Sequence, residues 1–320
     1  MLNCDKYSIF AAMNGKLLLA LKGAAMGIAE VIPGVSGGTI AFITGIYEKL
    51  LDTIKAFSPA LIKTYRQDGV KAVWAAVNGE FLISLMTGMV IGVVIGVFGI
   101  TYLLHTYPVY LWSFFFGLII ASSIYISRHV AKWNWVSFLT LAAGTAIAYY
   151  ISVAAPAQGN HALWFVFVAG AIAISALILP GISGSFMLLL MGMYTFIIPT
   201  VKDALKTFSG ESLTVLAVFA AGCVVGLATF SRVLSWTFKH YKSQTTALLT
   251  GFMVGSLNKI WPWRNVLTTR TNSKGEIVPF LEKSVLPTNF DGESYVVGAI
   301  IMMVIGFLIV FVFDYFDNEK

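Results

Sequence analysis

Charge is scarce in this sequence. Only 11% of the 320 residues are Asp, Glu, Lys or Arg, against about 25% in an ordinary soluble domain. With 58% hydrophobic residues and a mean hydropathy of +0.82, that deficit argues against a water-soluble domain and places the chain in a bilayer. Cysteine is scarcer still. Cys4 and Cys223 lie far apart, the second within an apolar run, so no disulfide framework is implied. The four histidines, His105, His129, His161 and His240, fall in loops or at the edges of apolar runs. They form no metal-ligand spacing, and no metal or other cofactor is expected. A Walker phosphate loop and a Ser-His-Asp arrangement are also missing. The net charge of +6 does not point to nucleic acid, because basic residues on a membrane protein mark cytoplasmic loops. Near the N-terminus the apolar stretch Leu17–Leu21 is short and is stopped by Lys22. It makes a poor signal peptide and is read as mature sequence.

What is abundant is apolar length. A span needs about 20 apolar residues. Phe81–Leu104, Val109–Ser127, Trp135–Ala155, Leu213–Arg232 running on towards Phe238, and Tyr295–Phe313 qualify. Ser243–Trp263 adds a sixth, apolar apart from Lys259. Two other apolar segments are interrupted by one phrase used twice. Pro33-Gly34-Val35-Ser36-Gly37-Gly38 returns as Pro180-Gly181-Ile182-Ser183-Gly184-Ser185. Broken backbone survives in a membrane only where protein or a water-filled cavity covers it. Matched breaks in two halves point to a transporter's binding site.

The arms around the phrases, Gly15–Ile32 with Thr39–Phe57 and Ala162–Leu179 with Phe186–Val201, read as helical hairpins that enter the membrane and return. The alternative is a pair of full-length spans joined by a turn. The repeat extends further. A shift of 147 (180 − 33) carries Gly45 onto Gly192 and Tyr47 onto Tyr194. A shift of 134 (222 − 88) carries Gly92 onto Gly226, Gly117 onto Gly251 and Ser122 onto Ser256.

The expected fold is therefore an all-α integral membrane protein, an inverted-topology repeat with two re-entrant hairpins and about six full spans. The first repeat covers 1–128, with hairpin 15–57 and spans 81–104 and 109–127. A linking helix covers 133–155. The second repeat covers 160–263, with hairpin 162–201 and spans 213–238 and 243–263. The mixed-charge segment 264–294 reads as an external loop, and 295–320 as the terminal helix and tail. Three crossings between the hairpins invert the second half. Both termini are placed in the cytoplasm, which puts fourteen of the 21 Lys and Arg residues inside, as the positive-inside rule requires. Glycines at helix-packing spacing, Gly88-x-x-x-Gly92-x-x-x-Gly96, Gly222-x-x-x-Gly226 and Gly251-x-x-x-Gly255, are expected to seat close helix pairs.

Chemistry concentrates at the phrases. A residue before proline leaves helical geometry, so Ile32 and Leu179 should end the first arms, and Pro33, Gly34, Pro180 and Gly181 form the breaks. The second arms then start with unpaired N–H groups at the positive end of a helix dipole. Ser36, Gly37, Gly38 and Thr39, with Ser183, Gly184 and Ser185, form an anion cradle of the kind that takes phosphate. The plainer alternative is that each serine caps its own helix. Glu30, three residues before Pro33, is an acid deep in apolar sequence and a candidate for proton coupling or gating; its repeat partner is Leu177. Arg232 and Lys259 are candidate cationic partners for the inner and outer sides. Arg232 could equally snorkel to the interface, though its guanidinium suits phosphate. Trp261 and Trp263 read as an interfacial aromatic belt.

These residues carry a resemblance. Gly27-x-Ala29-Glu30-x-x-Pro33-Gly34-Val35-Ser36-Gly37-Gly38-Thr39, followed by Gly45-x-Tyr47-Glu48-x-Leu50, resembles the signature of the bacterial polyprenyl-phosphate transporter family. So do Leu179–Ser185 with Gly192-x-Tyr194, and Gly251–Trp263 ending in Lys-Ile-Trp-Pro-Trp. The resemblance spans nearly the whole chain. It implies a plasma-membrane flippase that returns undecaprenyl phosphate, the carrier lipid of cell-wall synthesis, from the outer to the inner leaflet. Residue chemistry alone reaches an anionic, phosphate-bearing substrate; the coupling ion, protons among the options, and the oligomeric state stay open. Undecaprenyl-pyrophosphate phosphatases are the rival, with hairpins containing Glu-x-x-Pro and Pro-Gly-x-Ser-Arg-Ser. Here Gly184 stands in place of that arginine, and the first phrase lacks the paired glutamate and nearby histidine, so the charge stabilisation and base that hydrolysis needs are missing. A carrier of a soluble anion is the third alternative.

Overall fold

A computed structural model describes residues 4–32, 34–271 and 277–318. Small residues decide which helices pair. α1 (Cys4–Val31) lies along α5 (Gly79–Thr106). A methyl at Gly23 would strike the Leu85 carbonyl, and one at Gly88 or Gly92 the backbone of Ala20 or Ala24. α8 (Leu163–Ile178) lies along α11 (Gly210–His240) through the matching residues: Gly170 on Phe219, Gly222 on Phe167 and Gly226 on Ala171. α6 (Pro108–Ser127) packs on α13 (Val296–Asn318) with Gly117 against Met303 and Gly306 against Phe114. α12 (Lys242–Ser256) packs on α7 (Trp135–Val153) with Gly251 against Leu141 and Gly144 against Leu248. In lipid no hydrophobic effect drives helices together, so close backbone approach supplies the attraction.

The returning arms differ from expectation. Each is two helices rather than one continuous arm: α2 (Gly37–Ile43) with α3 (Tyr47–Ala56), and α9 (Gly184–Leu190) with α10 (Tyr194–Thr207). α9 and α10 are bent by 111°. The cause is a glycine past each short helix, Gly45 at φ 71° and Gly192 at φ 68°. Ile46 N–H donates to the Ala41 carbonyl and Gly45 N–H to Phe42; Met193 N–H donates to Leu188 and Gly192 N–H to Leu189. This double bond pattern closes a helix end around a left-handed glycine. Gly192→Ala should lower the unfolding temperature in detergent clearly, because left-handed geometry costs an L-residue about 1–2 kcal/mol and the new methyl would meet the Ala157 and Gly159 backbone. Gly99→Ala, with nothing within 4 Å, should leave that temperature almost unchanged.

Among the described residues four helices, α5, α6, α7 and α11, are long and apolar enough to cross a membrane, and the bent pair α9–α10 makes a fifth when taken as one broken span rather than a re-entrant loop. The expected span 243–263 is shorter than read: α12 stops at Ser256, where Ser256 Oγ donates to the Met253 carbonyl and a turn follows. α13 runs over Val296–Asn318, the segment expected as the terminal helix. The linker after the first hairpin holds α4 (Ala60–Ala76), a helix kinked at Gly69 and without buried residues. Segment 264–294 holds an antiparallel hairpin, β1 (Arg264–Thr271) and β2 (Ile277–Ser284), pairing Arg264 with Ser284 and Val266 with Glu282. The β-branched residues Val266, Thr268, Thr269 and Thr271 of β1 favour a strand. The main apolar core contains both breaks, with Ile32, Val35, Ile178 and Ile182 beside Met253 and Ile260.

Candidate functional site

The two breaks meet. α1 ends at Val31, and Gly34 at φ 85° reverses the chain; Pro33 lies outside the described residues. Gly181 at φ 82° does the same after α8, where Leu179 has left the helix with ψ 130°. Ser36 Oγ then donates 3.0 Å to the Leu177 carbonyl in the opposite half. Gly181 N–H donates 3.0 Å to Thr39 Oγ1, and Tyr47 OH donates 3.1 Å to the Ile178 carbonyl. Ser36 and Thr39 are fully buried. The polar groups freed by each break are thus satisfied partly by the other break, as a non-aqueous interior demands.

The two turns are not equivalent. Around α2 the first donors are already taken. Gly37 N–H donates 2.7 Å to Glu30 Oε1, and Gly38 N–H donates 3.1 Å to Ser36 Oγ. The Glu30 carboxylate therefore sits where a bound anion would sit, at the positive end of the helix. Around α9, Ser183 makes no side-chain cap. Its hydroxyl lies 2.9 Å from that of Ser185.

A small cleft opens beside this uncapped turn. Gly34, Gly181, Ile182, Ser183, Phe186 and Lys259 line it, with Ser152 and Ser256 on the wall. The Lys259 stem crosses Gly34, with Cγ 3.0 Å from where a β-carbon would be. Its ammonium lies 4.5 Å above the Phe186 ring. Asn258 fixes the approach, donating 3.0 Å to Ser152 Oγ and accepting 3.1 Å from Ser284 Oγ. Glu282 Oε2 is 3.9 Å from Lys259 Nζ and 3.2 Å from an Arg264 guanidinium nitrogen. Arg264 lies 5.1 Å over the Trp112 ring. Burial pushes its guanidinium down from the ordinary value, and Glu282 pulls it back up.

The structure therefore brings Gly34, Thr39, Gly181, Ser183 and Lys259 together, with Glu30 against Gly37. It does not bring Arg232 to them: its guanidinium donates 2.6 Å to the Ala228 carbonyl one turn back on α11. A second cleft opens at the Gly45 bend, lined by Phe42, Tyr47, Tyr125, His129 and Lys242, where Lys242 pairs with Glu48 at 2.7 Å. Among the described residues no cluster of His, Cys, Asp and Glu is grouped to hold a metal. Sequence reasoning missed Tyr47, Arg264 and Glu282. Tyr47 had a signal, since Gly-x-Tyr follows both phrases; Arg264 and Glu282 sat in a segment read as loop.

A family profile described as undecaprenyl phosphate translocase-like matches residues 26–278. A polyprenyl-phosphate transporter of Vibrio cholerae serotype O1 is 46% identical over 271 residues, 85% of this chain and 86% of that one. A polyprenyl-phosphate transporter of Staphylococcus aureus is 33% identical over 263 residues, 77% of this chain and 87% of its own. No solved structure matches the chain significantly.

Proposed function

The chain belongs to the undecaprenyl phosphate translocase-like family, and from that premise we propose that it is a multi-pass flippase returning undecaprenyl phosphate from the outer to the inner leaflet of a bacterial plasma membrane. The observation that carries this reading is the uncapped start of α9 beside Lys259, locked to the other break through Thr39 and Ser36. Ser183, Gly184, Ser185 and Lys259 take the phosphate there, and the polyprenyl tail stays in lipid. Both halves form an inverted repeat, so Ser36, Gly37, Gly38 and Thr39 offer the equivalent cradle to the other face. In the present state Glu30 fills that cradle. Proton uptake by Glu30 would release Gly37 and let the headgroup pass, which makes protons the coupling ion. Lys242 and Arg232, on the side assigned to the cytoplasm, are the cations available for release.

A phosphatase is disfavoured, because Gly184 stands where the phosphatase phrase has an arginine and Glu282, the carboxylate beside the cleft, is held by Arg264 and Lys259, whereas hydrolysis needs a base and charge stabilisation at phosphorus. Reconstitution in liposomes with labelled undecaprenyl phosphate tests the proposal: movement between leaflets without phosphate release is expected, and release would select the enzyme. Glu30→Gln imitates the protonated acid, so it should weaken the bond that closes the Gly37 cradle by about 1.5–3 kcal/mol and flatten the pH dependence of transport. Normal rates with an unaltered pH profile would remove the coupling role.

A further inference from the structure

The hairpin β1–β2 returns one carboxylate to the cleft, and binding a phosphate does not by itself require it. Glu282 stands between two cations. Its Oε2 is 3.2 Å from Arg264 and 3.9 Å from Lys259, so the first contact is close and the second is too long for a hydrogen bond. All three side chains are largely buried, at 9% exposed for Arg264, 20% for Lys259 and 21% for Glu282. Among the described residues the cluster thus holds two positive charges and one negative charge. Each cation also rests on a ring, Lys259 on Phe186 of α9 and Arg264 on Trp112 of α6. Buried charge without a full partner is unfavourable, so the cluster is arranged to accept a further anion.

We propose that Glu282 is a tethered competitor for the headgroup: it holds Lys259 and Arg264 when the cleft is empty and is displaced only by a phosphomonoester. Arg264 is then the second cation on the bound phosphate. This inference rests on the transporter reading and adds its selectivity. The surrounding bilayer is made largely of phosphodiesters, which carry a single negative charge. A phosphomonoester carries about −1.5 to −2 at neutral pH. Against a carboxylate already in place, a singly charged diester gains little by exchange, whereas a dianion balances both cations once Glu282 swings out. Selectivity of this kind comes from penalising the wrong ligand.

The test uses the full-length protein in detergent, titrated with farnesyl phosphate as the monoester and phosphatidylglycerol as the diester. Wild type should prefer the monoester. Glu282→Gln should bind both more tightly, and the diester disproportionately, so that the preference narrows at least tenfold. Arg264→Gln should weaken the monoester at least tenfold. If Glu282→Gln folds poorly, Glu282→Asp keeps the charge but draws it back, and should narrow the preference in the same direction. A monoester-to-diester ratio unchanged in the Glu282 variant would overturn this inference while leaving the transporter reading in place. Failure of wild type to bind farnesyl phosphate would overturn both.

Discussion

Lys259→Met should weaken binding of a polyprenyl phosphate about 10- to 100-fold, the loss of one hydrogen bond to a charged group at about 1.5–3 kcal/mol. The change isolates charge from packing. Methionine retains most of the stem that crosses Gly34 and reaches Phe186. Glu282 keeps Arg264 at 3.2 Å as its partner, so no carboxylate is stranded. The unfolding temperature should therefore change little while affinity collapses, and transport in liposomes should fall with it. An affinity equal to wild type would remove Lys259 from the site.

The second large effect is structural. In Gly38→Ala the new methyl would run into the Ile178 carbonyl and the end of α8. That carbonyl accepts from Tyr47, and its neighbour Leu177 accepts from Ser36. Both partners are backbone, so neither side can yield by turning a side chain. Overpacking of a filled interior costs about 1–3 kcal/mol, and each cross-half hydrogen bond lost adds about 1 kcal/mol. A sharply lower unfolding temperature with loss of transport is expected. Gly37→Ala is the informative contrast. Its methyl would lie 2.7 Å from Glu30 Oε1, the far end of a side chain. It should displace the carboxylate and alter gating with much less loss of stability. Equal melting for wild type and Gly38→Ala would mean the two halves are not clamped at this point.

Much of this is legible in the sequence because it depends on local rules. Proline and glycine break helices wherever they stand, so both Pro-Gly-x-Ser phrases announce themselves. The apolar lengths of α5, α6, α7 and α11 are read directly, and the glycines at every fourth position do seat helix pairs. The bends at Gly45 and Gly192 are also written locally, as a glycine two residues past a short helix, but they look the same as a repeat marker. The hairpin β1–β2 is hidden because its charges suggest a solvated loop, while Arg264 and Glu282 in fact fold back under it. The inequality of the two turns is only partly visible in the phrases, where Ser185, which meets the Ser183 hydroxyl, replaces Gly38. The rest follows from Glu30 reaching seven positions along the chain to Gly37, where the second half has Leu177. Arg232 shows the opposite failure: sequence puts it inside the membrane, but only the turn of α11 decides which face it occupies.

The most direct measurement is a structure with a polyprenyl phosphate bound. The account predicts a phosphate within hydrogen-bonding distance of Lys259 Nζ and Ser183 Oγ, beside Gly34 and Gly181, with the chain leaving towards lipid. Phosphate bound elsewhere, with Lys259 still facing Glu282 and the turns untouched, would contradict it.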